Sequence, residues 1–218
     1  MNTSSALSRL QKNFNPESQG LQQQTMLPPP KHVRVIGLGN VLMGDDGFGP
    51  LTVERFRCEY EFGLNVEVTD LGTPGLDLAP YLYGTDLVVI ADAVHSLEKP
   101  GVLCIYCEDD LLTHHAQLRL TAHDPGLAES LAHLRLAGKS PSELLIVGVV
   151  PECCDFGKGI SPFVFHASSM AAEKIAGLLV ERSVSCFRRP AALSPNLWWL
   201  PNQRTTGIAT WFTTESAS

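Results

Sequence analysis

Two adjacent carboxylates, Asp45 and Asp46, follow a glycine-rich turn in the segment VIGLGNVLMGDDGFGP, Val35 to Pro50. Further along, an aspartate ends each of two apolar stretches: Asp70 in NVEVTDL and Asp92 in TDLVVIADAV. His123 stands in TAHDPG, directly before a Pro-Gly pair. Carboxylates and an imidazole can hold a divalent cation or move a proton. They can also do no more than cap a helix or start a turn. The choice depends on whether the fold brings them together.

The elements that position them can be read from periodicity. HVRVIGLG is a short apolar run closed by glycine and predicts strand one. FGPLTVERFRCEYEF has Pro50 near its start and helical spacing at Leu51, Phe56 and Tyr60, which predicts a helix. NVEVTDL alternates and predicts strand two; GLDLAPYLYG predicts a short helical segment. TDLVVIADAV is continuously apolar, the pattern of a strand buried on both faces. GVLCIYCED and ELLIVGVVP predict strands four and five. PGLAESLAHLRLAG and PFVFHASSMAAEKIAGLLVERS predict helices. Alternating strands and helices give an α/β fold with a parallel or mostly parallel sheet and helices on both faces. In such sheets ligands bind beyond the carboxyl ends of the strands. Asp46, Asp70, Asp92 and His123 all fall on that rim. Unpaired carboxylates gathered there repel one another, and a divalent cation removes that cost. Two carboxylates with one imidazole suit zinc, nickel or iron. His95, close to Asp92, is the substitute ligand should His123 lie elsewhere.

The first loop fits a nucleotide-binding turn poorly. Gly37 and Gly39 match the first two glycines of the dinucleotide fingerprint, but Leu42 stands at the third. A helix start that already carries Asp45 and Asp46 also repels phosphate. Capping by aspartate accounts for one of the pair, not both. Asp45 and Asp70 remain as carboxylates able to act as general base.

The remaining features bound the setting. A chain of 218 residues with 44% hydrophobic residues suits one domain. Net charge of −7 argues against nucleic acid. No apolar run is read as long enough to span a membrane, and the Ser-, Gln- and Pro-rich residues 1–31 contain no signal-peptide core and read as a flexible tail. These features predict a cytoplasmic protein. The six cysteines then read as reduced, buried and inert. CIYC has metal-ligand spacing but lies on a strand, where residues three apart face opposite ways. Residues 32–183 form the expected domain, and 184–218 a C-terminal extension with all three tryptophans. Those indoles are expected to pack on the body, with a partner-binding arm as the alternative.

GLGNVLMGDDGFGP, DLGTPGLDL, DLVVIADAV, HDPGLAESL and LLIVGVVPE, in this order, resemble the hydrogenase maturation endopeptidases over Val33 to Leu179. The resemblance implies a single α/β domain with a five-stranded twisted sheet. It implies removal of a C-terminal extension from the large-subunit precursor of a nickel-iron hydrogenase after nickel insertion. It further implies that Asp46, Asp92 and His123 contact nickel borne by the substrate, so that the resting enzyme need hold no metal. Asp70 matches a further acidic position, and GTPG a loop associated with substrate recognition. Asp46, Asp70 and Asp92 are the expected catalytic carboxylates, in a chain expected to act as a monomer. Many family members have His-Gln where this chain has His123-Asp124, a difference that bears on partner choice. A non-catalytic chaperone that checks nickel loading is the competing reading, with a nucleotide-binding oxidoreductase third.

Overall fold

The computed structural model describes residues 28–113, 119–120 and 124–200. In chain order the strands and α-helices are β1 (Val33–Leu38), α1 (Phe48–Glu59), β2 (Tyr60–Phe62), β3 (Val66–Gly72), α2 (Ala79–Leu82), β4 (Leu87–His95), β5 (Leu103–Cys107), α3 (Glu108–Thr113), β6 (Arg119–Leu120), α4 (Asp124–Leu136), β7 (Glu143–Val149), α5 (Pro162–Glu181) and β8 (Cys186–Arg188). The main sheet has the order β3-β1-β4-β7-β5. Its first four strands are parallel, and β5 runs antiparallel at the edge. This is the five-stranded, mostly parallel sheet expected from the sequence. The two-residue β6 adds to the end of β4.

Strand alternation separates two cores. Val33 and Val35 of β1, Leu87, Val89, Ala91 and Ala93 of β4, and Val147 of β7 face α1 and α5. Ile36 and Leu38, Val88, Ile90 and Val94, and Ile146 face α2 and α4. All of β4 from Leu87 to Val94 is buried, as its continuous apolar run requires. Helix α5 is 20 residues long and apolar enough by length and composition to cross a membrane, contrary to the expectation that no segment is. Its apolar face, with Val164, Ala171 and Ile175, packs instead into the first core.

Two departures from the predicted elements share one cause. The predicted helix from Phe48 stops at Glu59, and residues 60–62 become β2. The partner of β2 is β8, in the segment predicted not to continue the α/β pattern. Beyond β8 the chain follows α1 backwards. Arg189 N–H donates to Glu59 O at 2.7 Å, and Leu193 N–H to Cys58 O at 3.0 Å. Asn196 N–H then donates to Glu54 Oε1 at 2.7 Å, and Leu197 is fully buried. This strap satisfies carbonyls at the helix C-terminus that would otherwise lack partners.

Close backbone approach sets the rim. A Cβ on Gly49 would lie 2.0 Å from Leu38 O and 2.4 Å from Ala91 O. The first turn of α1 therefore rests directly on the ends of β1 and β4. Gly49→Ala is expected to push α1 off the sheet and cost about 3 kcal/mol, read by urea denaturation.

Candidate functional site

The register of three neighbouring strands lays out the site. Gly37 of β1 is level with Asp70 of β3 on one side and with Ala91 of β4 on the other. Asp92 is one residue further along β4. With adjacent strands about 4.8 Å apart, the Asp70 and Asp92 backbones are roughly 10 Å apart across the end of β1. Past β1 the chain turns at Gly39, whose φ of +131° lies in a region L side chains rarely adopt. A Cβ there would meet Asp46 O at 1.8 Å. This turn folds Asn40 under the 3-10 turn Gly44–Gly47, which carries both acidic residues of the first loop.

The two adjacent aspartates have different jobs, and neither caps α1. Gly47 is its N-cap, and no side chain bonds there. Asp45 is fully buried. Its Oδ2 accepts the Glu152 and Cys153 N–H groups at 2.8 and 3.2 Å, and its Oδ1 accepts Ser161 N–H at 2.6 Å. It fastens the loop after β7 to the first loop. With both oxygens engaged by backbone and no access to solvent, Asp45 is unsuited to the role of general base. Asp46, 5% exposed, accepts Asn40 N–H through Oδ2 at 2.7 Å. Asp92 is 1% exposed and follows the parity of Val88, Ile90 and Val94, on the α2/α4 side.

Asp70 differs from this pair. It follows the parity of Val66 and Val68, which face the α1 side. It is exposed, and its Oδ1 accepts Gly72 N–H at 2.9 Å. Together with Gly39, Val41, Pro50, Gly72 and Trp198 it lines a cleft of about 260 Å³. The first loop and β4 thus bury Asp46 and Asp92, while β3 leaves Asp70 in an open cleft, with the end of β1 between Asp92 and Asp70.

His123 lies outside the described residues, as do His114, His115 and Trp211. The described residues on either side of His123 belong to this rim: Leu120 pairs with Val94, and α4 starts at Asp124. Neither β6 nor α3, which begins at Glu108 inside the predicted strand GVLCIYCED, was legible in the sequence. His95 ends β4, exposed, opposite Arg119. Among the described residues no three His, Cys, Asp or Glu side chains are grouped so as to hold a metal ion.

All six cysteines are free, but they are not uniformly buried as expected. Cys58 and Cys186 are buried, and Cys107 is exposed at the edge of the sheet. Half-buried Cys154 is close to the carboxylates: burial, then the Asp46 and Asp45 charges, push its thiol up to about 11. It is a neutral thiol at pH 7 and so a poor nucleophile. Burial, with the nearby Glu54 charge for Cys58, pushes Cys58 and Cys186 to about 11 as well. Iodoacetamide at pH 8 is expected to label Cys107 first, and Cys58, Cys154 and Cys186 only after unfolding, as read by peptide mass mapping.

Comparison with known proteins fits this geometry. Residues 50–178 match the family model of the hydrogenase maturation proteases, HycI. The hydrogenase 2 maturation protease of Escherichia coli is 32% identical over 160 residues, covering 73% of this chain and 97% of that protein. The hydrogenase expression/formation protein HupD of Bradyrhizobium diazoefficiens is 30% identical over 171 residues, covering 78% and 89%. Among solved structures, the hydrogenase maturating endopeptidase HybD of E. coli superposes with a TM-score of 0.67 at 31% identity, covering 72% of this chain and 98% of that one. Family match, relatives and architecture agree: the chain belongs to the hydrogenase maturation protease family.

Proposed function

We propose that the protein removes the C-terminal extension of a nickel-iron hydrogenase large-subunit precursor once nickel is in place, and that it recognises that nickel. One observation carries the reading: two buried aspartates, Asp46 in the 3-10 turn that follows β1 and Asp92 near the carboxyl end of the neighbouring strand β4, on the same edge of the sheet as an open cleft that holds a third, Asp70. Nickel arrives as part of the substrate and is not a resident cofactor. Asp46, Asp92 and His123 are the side chains assigned to meet it, two carboxylates and one imidazole, a donor set that suits nickel. An extended peptide advances about 3.3 Å per residue, so three residues span the roughly 10 Å between the Asp92 and Asp70 backbones.

In that arrangement Asp70 is the general base. It takes a proton from water as the oxygen attacks the scissile carbonyl. The new C–O bond forms, the C–N bond breaks, and the proton passes to the leaving amine. An empty precursor lacks the contact to Asp46, Asp92 and His123 and binds less well, which gives selectivity by differential affinity. The protein acts as a monomer on one precursor in the cytoplasm, where its six free thiols stay reduced.

The test mixes the protein with nickel-loaded and nickel-free precursor and measures intact mass. Loss of the extension from the loaded form only is the expected result. Equal cleavage of both removes nickel recognition. Binding with no change in mass leaves a chaperone that checks loading.

A further inference from the structure

Trp198 lines the cleft from the C-terminal side, beyond the family match, which covers residues 50–178. It is 73% exposed, although an indole is among the side chains that gain most from burial. It is not on a loose end. The strap that carries it is fixed by the backbone bonds to Glu59 and Cys58, by the Asn196 bond to Glu54 and by buried Leu197. Trp199 packs edge-on against it, with ring centroids 5.7 Å apart and planes at 88°. A well-anchored segment thus holds an aromatic face out of the core, at the wall of the cleft that contains Asp70.

The rest of the cleft indicates what this face meets. Gly72 leaves open space where a side chain would stand, its nearest neighbour there being Gly39 O at 4.0 Å, so a peptide backbone can approach closely. Val41 and Pro50 add apolar surface beside the indole, while Asn40 and Thr73 line the cleft with polar groups that a peptide backbone can bond. At about 260 Å³ the cleft is smaller than the usual range for an enclosed small-molecule pocket, and it suits a chain passing through.

We propose that Trp198, with Val41 and Pro50, forms a subsite for an apolar side chain of the precursor's C-terminal peptide, whose backbone crosses Gly72 on its way to Asp70. This rests on the proteolytic reading of the site. The subsite holds substrate and does not touch the reacting atoms, so its loss weakens binding and leaves the chemical step intact.

The experiment compares wild type, Trp198→Ala and Trp198→Phe on nickel-loaded precursor. Steady-state cleavage is followed by intact mass, and equilibrium binding by anisotropy of labelled precursor. Trp198→Ala is expected to raise both KM and Kd about tenfold with kcat within about twofold, and Trp198→Phe to recover most of the loss. Unchanged KM and Kd, or a fall in kcat alone, overturns the subsite. A chain ending at Leu200 is measured alongside. If it binds precursor tenfold more tightly, residues 201–218 are the occupant of the cleft, and the proposal fails. If wild type binds precursor without cleaving it, the proteolytic reading falls, and the Kd of Trp198→Ala still decides the subsite.

Discussion

Asp46→Asn is expected to lower precursor processing at least about a thousandfold while the melting temperature stays within about 3 °C of wild type. The substitution is nearly isosteric. An asparagine oxygen can still accept the Asn40 N–H that Asp46 Oδ2 now accepts, so the turn after β1 keeps its shape. What is lost is one negative charge in a position 5% exposed, where solvent does little to screen it. Asp92→Asn and His123→Ala are expected to behave alike. Groups that act as a unit are also strongly non-additive, so Asp46→Asn with Asp92→Asn should lose little more than either alone. Initial rates on nickel-loaded precursor, by intact mass, with a thermal melt for each variant, check this. Wild-type processing by Asp46→Asn would remove the buried pair from the mechanism.

The second large effect concerns its neighbour and is one of stability. Asp45→Ala is expected to cost about 4 kcal/mol, measured by urea denaturation. Three backbone N–H groups, of Glu152, Cys153 and Ser161, lose their acceptor together. They are part-buried, and each unsatisfied donor costs about 1–3 kcal/mol. Asp45→Asn keeps one acceptor oxygen but turns an NH2 group toward an N–H, so about half the loss is expected. The contrast between adjacent residues is diagnostic: one isosteric change removes activity with the fold intact, the other weakens the fold.

That contrast marks where sequence reading stopped. The continuous apolar run of TDLVVIADAV was visible in the sequence, and so was the rim that Asp46, Asp70 and Asp92 share. Which face of the sheet each aspartate takes was not. That depends on α1 and α5 covering one face and α2 and α4 the other. Asp45 could not be separated from Asp46 because its partners are 107 to 116 residues away. The over-long first helix has the same origin. Leu51, Phe56 and Tyr60 read as one helical stripe, and Phe56 does stack on Tyr60, but also on Phe62, each at 5.4 Å. The backbone of residues 60–62 leaves the helix because Cys186–Arg188 offers it a ladder, and local periodicity carries no record of so distant a partner.

The strap running back along α1 has an evolutionary implication. It is tied to the body mainly through main-chain groups and one buried leucine, so most of its side chains can be exchanged without disturbing sheet or carboxylates. Under the subsite proposed at Trp198, client choice can diverge on residues 190–200 while the reaction centre is inherited unchanged, and grafting that stretch between paralogues is expected to redirect which precursor is matured.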